Sequence, residues 1–209
     1  MGETANMSEY GGGDEGGCDA KEADAWPQTR RLSQKFLRTI LFHEPFKSAP
    51  PQPRFRILCA LFDEEIDFSY LDLANEVWLN KSRFKESIDL SSLKARFVVS
   101  LEGSVFENQI TIQDARFGDE LSARGSTFEG PFEADRLEVA KDVFLDQDAT
   151  FKNSVRLVNA RIGGSLTARR STFEAPFSAE NLVVDGHLFL GQGATFREGI
   201  LLPGAKISG

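Results

Sequence analysis

The sequence predicts an all-β solenoid whose coils have four short walls, preceded by a helical cap and a disordered acidic tail. Three observations carry this reading. Large apolar residues return at a step of about 11 through residues 54–209, as internal repeats do. A second apolar pair, its members two apart, sits between successive landings. The breaks between pairs are short and rich in Gly, Asn, Asp and Ser, which suit turns and leave no room for a helix.

Composition sets the outer bounds. The 209 residues are 41% hydrophobic, enough for a real core, and 18 Phe against 2 Trp, 2 Tyr and 2 Met show one ring used repeatedly. No run reaches the roughly 18 to 20 apolar residues that span a bilayer as a helix, and MGETANMSEY lacks the regions of a secretory signal. Two cysteines, Cys18 and Cys59, are too few for a disulfide framework or a tetrahedral zinc site, and two histidines make metal catalysis thin. A reducing, cytoplasmic address is expected.

Residues 1–25 carry 7 acidic residues and 1 Lys, include GGGDEGG, and have almost nothing large to bury. They read as a disordered, solvated tail. Residues 26–53 carry 5 basic residues and 1 acidic. Within them Leu32, Phe36, Leu37, Ile40 and Leu41 recur at helical spacing, with Arg30, Arg31, Lys35 and Arg38 on or near the other face. This basic amphipathic helix is expected to cover the open end of the solenoid; the competing reading lays residues 28–42 on an anionic membrane. Pro50, Pro51 and Pro53 make an extended connector.

From Phe62 the walk lands on Leu73 and Phe84, then on Phe97 by a long step and on Phe106 by a short one that recovers the register. It continues through Phe117, Phe128, Val139, Phe151, Ile162, Phe173, Val184, Phe196 and Ile207, with single steps of 12 before Phe151 and Phe196. Small residues stand two before most landings, among them Ser82, Ser104, Ser126, Ala149, Ser171 and Ala194. Spacing by two puts both members of a pair on one face of an extended segment. Two such steps, four walls in all, close a coil, and stacking coils at about 4.8 Å pairs their backbones. Residues 117–161 and 162–206 match at about 21 of 45 positions without a gap, and the step of 12 recurs in both, which predicts a bulged corner.

AlaArgPhe at 95–97 and 115–117, AlaThrPhe at 149–151 and 194–196, AlaArgIle at 160–162 and AlaLysIle at 205–207 resemble the pentapeptide-repeat family. The resemblance covers 54–209 and implies a right-handed quadrilateral β-helix. The chain departs from the regular form because alternate walls carry a sixth residue, lengthening each coil to a period of about 22, which resembles a divergent bacterial branch. Some members bind type II topoisomerases as DNA mimics, so the resemblance raises a gyrase-binding decoy that confers inhibitor resistance.

Charge weighs against the decoy, because residues 54–209 carry 18 basic residues among 24 acidic, with Arg169 and Arg170 adjacent. Six or so coils would also make a rod of only about 30 Å. Direct nucleic-acid binding is not expected, since no basic stripe with interleaved aromatics lies outside the helix.

A catalytic reading, including a β-helix carbohydrate enzyme, needs convergent groups. His43 and His187 have no nameable partner, and Asp146 and Asp148 are replaced one repeat later by Gly191 and Gly193. Cys59 reads as packing, Gly163 and Gly164 as turn glycines, and Arg124 as a replaceable outward residue. The expectation is a non-enzymatic interaction or scaffolding module, with no catalytic, cofactor-binding or metal-ligating residue assigned. Its protein partner has no signature in the sequence. The chain stops within a coil, which reads as a fragment of a longer protein or as an end where a homodimer forms.

Overall fold

Alternation of inward and outward residues at a period of two, interrupted at short intervals by a turn, winds the chain into coils. In this computed structural model, which describes residues 4–6, 18–46 and 54–209, seven coils stack into four parallel sheets. Wall 1 runs from the strand Arg54–Leu58 to Leu188–Phe189, and wall 2 from Leu61–Phe62 to Thr195–Phe196. Wall 3 runs from Ile66–Asp67 to Ile200–Leu201, and wall 4 from Asp72–Leu73 to Lys206–Ile207. Each wall has seven of these strands, and wall 1 gains an eighth where Thr4–Asn6 pairs beside Arg54–Leu58. Register pairs Phe106 with Phe128 in one coil step and Phe128 with Phe151 in the next, the second step being longer by one position.

The inward residues fill one axial core. On wall 2, Phe62, Phe84, Phe106, Phe128, Phe151, Phe173 and Phe196 form a column with ring centroids 4.5 to 4.8 Å apart and planes within 10°. Phe132 and Phe177 on wall 3 meet this column edge-on. Such pairs contribute about 0.5 to 1.5 kcal/mol each beyond area burial.

One expected landing is corrected. Wall 4 pairs Ala95 with Leu73 and Phe117, so the walk runs Phe84, Ala95, Phe106 in even steps. Phe97 is half-buried at the following corner. The periodicity is more regular than large residues alone suggest, because a small side chain occupies one core site.

The corners explain the small residues. The short corners between walls 1 and 2 use one left-handed residue, as at Lys81, Gly103, Gly125 and Arg170. The two corners behind the steps of 12 use two in succession, Gln147 with Asp148 and Gln192 with Gly193. The expected bulge is therefore an extra left-handed residue. A buried Ser follows four of the short corners, at Ser82, Ser104, Ser126 and Ser171, while Ala60 follows the first, at Cys59. Hydroxyls here reach back to the preceding coil, Ser126 Oγ donating to the Leu101 carbonyl at 2.8 Å and Ser171 Oγ to the Leu145 carbonyl at 2.7 Å. Where the corner is long, Ala149 and Ala194 stand instead.

Helix α1 (Gln34–Phe42) is the expected cap. Ser33 Oγ accepts from Phe36 N at 3.1 Å, an N-cap. Leu37 and Leu41 are fully buried in the solenoid core. The basic face is tied to the first coil: Arg31 pairs with Asp63, and Arg38 Nη1 donates to the Asp67 carbonyl at 2.6 Å. The Pro-rich connector falls at 47–53, outside the described residues.

The disordered-tail expectation for 1–25 is corrected at two places, Thr4–Asn6 and residues 18–25; the remaining positions lie outside the described residues. Ala20–Ala25 is a 3-10 helix, capped by Asp19 and laid across wall 2 as a strap. Ala20, Ala23 and Trp26 bury against Leu61 and Val105, forming a second apolar cluster outside the main core. Net acidity did not prevent ordering because Asp24 finds Lys85 at 2.6 Å and Arg83 at 3.3 Å. The strap also carries Cys18 to Cys59, and the two form a disulfide with Cα atoms 5.5 Å apart. The reading of Cys59 as packing alone is thus corrected, and the cytoplasmic expectation loses its ground in cysteine usage. No helix among the described residues is long and apolar enough to cross a membrane.

Candidate interaction surface

Because the strands between the two end coils are paired on both sides, only their outward side chains remain to meet a partner along the length of the stack. Most outward charges are engaged between neighbouring coils. Arg136 binds Asp114 through two hydrogen bonds of 2.7 Å, which hold the Asp114 carboxyl below its ordinary pKa. Lys141 reaches Asp119 at 2.9 Å and Lys152 reaches Glu129 at 2.7 Å. Arg156 joins Asp135 at 2.6 Å and Glu133 at 3.3 Å.

On wall 1 guanidinium groups also stack on outward rings, Arg56 over Trp78, Arg124 over Phe144 and Arg169 over Phe189, at 3.5 to 4.1 Å. Arg124, expected to be replaceable, is corrected: besides Phe144 it touches Asp146 at 3.2 Å and Glu102 at 3.3 Å.

The residues weighed for catalysis are not brought together. His43 is exposed beyond α1 and His187 is exposed in the last coil, at opposite ends of the stack. Asp146 is almost buried against Arg124, and its burial pushes the carboxyl pKa up against the pull of that guanidinium. Asp148 turns instead to Arg170 at 3.2 Å. Gly163 N and Gly164 N donate to the Val139 and Lys141 carbonyls at 2.8 and 2.9 Å, so neither amide is left to cradle a phosphate. A Cβ at Gly163 would meet the Ala140 carbonyl at 2.5 Å; close coil approach explains the glycine. Among the described residues no group of three His, Cys, Asp or Glu is placed to hold a metal ion.

Wall 4 departs from the paired pattern. Its outward residues include the cations Lys94, Arg96, Arg116 and Arg161, with Ala74, Gly118, Ala140 and Gly163 beside them and Asp72 and Glu138 among them. A shallow recess of about 620 Å³ is lined by Asp72, Ala74, Lys94, Arg96, Arg116 and Gly118. It continues into a second of about 360 Å³ over Glu138, Ala140, Arg161 and Gly163. Gly118 keeps the floor low, since a Cβ there would meet the Arg96 carbonyl at 2.8 Å. Arg116 pairs with Glu138 at 3.1 Å. Lys94, Arg96 and Arg161 have no carboxylate partner among the described residues.

Sequence reasoning missed this surface. Its signal is the recurrence of Lys94 and Arg116 one coil apart, with Arg96 two positions beyond Lys94, visible once Ala95 is taken as the core residue.

Fold and surface together define a β-solenoid repeat protein with four parallel sheets and a coil period of about 22, consistent with a quadrilateral pentapeptide-repeat-like architecture. Compared with known proteins, no family model, no curated protein and no solved structure matches the chain.

Proposed function

We propose that this chain is a non-enzymatic interaction or scaffolding module, a divergent relative of the pentapeptide-repeat solenoids that engages a protein partner through wall 4. The observation that carries the reading is the contrast between inter-coil charge pairing such as Arg136–Asp114 and Lys152–Glu129 and the Lys94 and Arg96 over the wall 4 recess, unpaired among the described residues. A rigid stack presents such groups at fixed spacing with no backbone left to order on binding, so only side-chain ordering opposes association.

Two associations weighed from the sequence stand differently. Membrane attachment through 28–42 is disfavoured, because Arg30 lies over Trp26 while Arg31 and Arg38 engage the first coil. A homodimer through the last coil draws on half-buried Leu190, Phe196 and Ile200 and on exposed Leu201 and Ile207.

The decoy reading draws on Asp67, Asp89, Glu133, Asp135 and Glu180 along wall 3, but Arg156 pairs with two of these and cations stand on wall 4 beside them, so the surface is a poor duplex mimic. The carbohydrate-enzyme reading loses the pair that raised it, since Asp146 and Asp148 face different arginines. For location, the Cys18–Cys59 disulfide favours an oxidising compartment over the cytoplasm.

The test is site-specific photo-crosslinking of the full chain in host extract, with the crosslinker at Ala140 on wall 4 or Thr172 on wall 2. A discrete protein captured from wall 4 and not from wall 2 supports the module. Capture from neither, or from both alike, sinks it.

A further inference from the structure

Lys94 and Arg116 occupy registered positions on adjacent strands of wall 4, the one registered pair of cations among the described strands. Like charges placed opposite each other in a sheet are unfavourable. Arg96 adds a third positive charge two positions along the same face, and the recess lies among the three. On their other sides Lys94 registers with Asp72 and Arg116 with Glu138, but only Arg116 closes an ion pair, which leaves Lys94 and Arg96 without a carboxylate partner among the described residues.

We propose that the recess over Lys94, Arg96 and Arg116 docks a short acidic peptide segment of a partner protein; this rests on the module reading above and gives its partner a chemistry. Guanidinium forks take carboxylates through two parallel hydrogen bonds, and Lys94 supplies a point charge beside them. The cations stand one coil apart, about 4.8 Å, while same-side residues of an extended peptide stand about 6.8 Å apart. Alternate acidic residues therefore fall within reach of neighbouring long side chains. The wall's own backbone is already paired, so the segment binds through its side chains and adds no strand.

Two features favour a short peptide over a nucleic acid. The outward positions of wall 4 hold no aromatic ring on which bases stack. Asp72, Glu138 and Asp185 interrupt the wall, so a continuous phosphate backbone would meet repulsion on either side of the cationic coils.

Fluorescence anisotropy of a labelled Glu-Ser repeat peptide with the full-length protein tests the proposal. The expected result is binding that weakens with salt, falls about tenfold or more in a Lys94→Glu, Arg96→Glu, Arg116→Glu variant, and is unchanged in Lys141→Glu, Lys152→Glu. Arg96→Ala alone guards against misfolding of the triple variant and should weaken binding about threefold or more. Equal binding by wild type and Arg96→Ala, absence of binding at low salt, or tighter wall-dependent binding of a single-stranded oligonucleotide overturns it. A partner crosslinked at Ala140 but retained equally by Arg96→Ala would sink acidic docking while leaving the module intact. Peptide binding without any crosslinked partner would do the reverse.

Discussion

The hydroxyl oxygen of Ser104 accepts a hydrogen bond from Ser82 N at 3.1 Å and donates one to the Leu79 carbonyl at 3.0 Å, all inside the core. A backbone amide at the corner would otherwise be buried without a partner. Ser104→Ala should therefore destabilise by about 1 to 3 kcal/mol in urea unfolding, more than loss of an exposed hydroxyl. Ala149→Ser, at a long corner, should bring no comparable gain. Equal stability of Ser104→Ala and wild type would sever the link between serine and short corners.

Phe128 sits inside the continuous ring column, with neighbours at 4.8 and 4.5 Å. Phe128→Ala should cost about 3 to 5 kcal/mol, and Phe128→Asp should leave too little folded protein to titrate. Circular dichroism melts read both.

Arg124 holds two carboxylates and covers a ring, so Arg124→Asp places three acidic groups together. The expected cost is about 1 to 3 kcal/mol, most of it regained by adding Asp146→Asn. A double-mutant cycle without coupling would contradict the arrangement.

The strap should loosen in acid. Lys85 and Arg83 hold the Asp24 carboxyl below its ordinary pKa, so its stabilising effect is present above the unfolded value and is lost as pH falls through the depressed folded value. Trp26 emission should then shift to the red on acidification ahead of global unfolding. Asp24→Asn should show the shifted emission already near neutral pH.

Closing a segment with a sequence separation of 41, the Cys18–Cys59 disulfide should contribute up to about 4 kcal/mol in the chain-entropy account. Reduction should lower the melting temperature and open the strap to trypsin at Lys21. Intact mass before and after reduction reads the bond directly.

The fold was legible because its signal repeats: a single misplaced landing at Phe97 left thirteen others to hold the register. That error came from weighting size over position, since Ala95 is the core residue there. The strap was not legible. Its buried apolar side chains are only Ala20, Ala23 and Trp26, and its order depends on ion pairs to Arg83 and Lys85, distant in sequence. The wall 4 surface was hidden for a different reason. Whether an outward cation is neutralised depends on which carboxylate faces it one coil away, and that requires the full register.

The long corners at Gln147–Asp148 and Gln192–Gly193 absorb an additional residue while the rings on either side stay 4.5 Å apart, from Phe128 to Phe151 and from Phe173 to Phe196. Length variation at this edge is thus mechanically decoupled from the core. The edge is a seam where loops can be grafted, and successive grafts would project from one side of the rod like teeth on a comb.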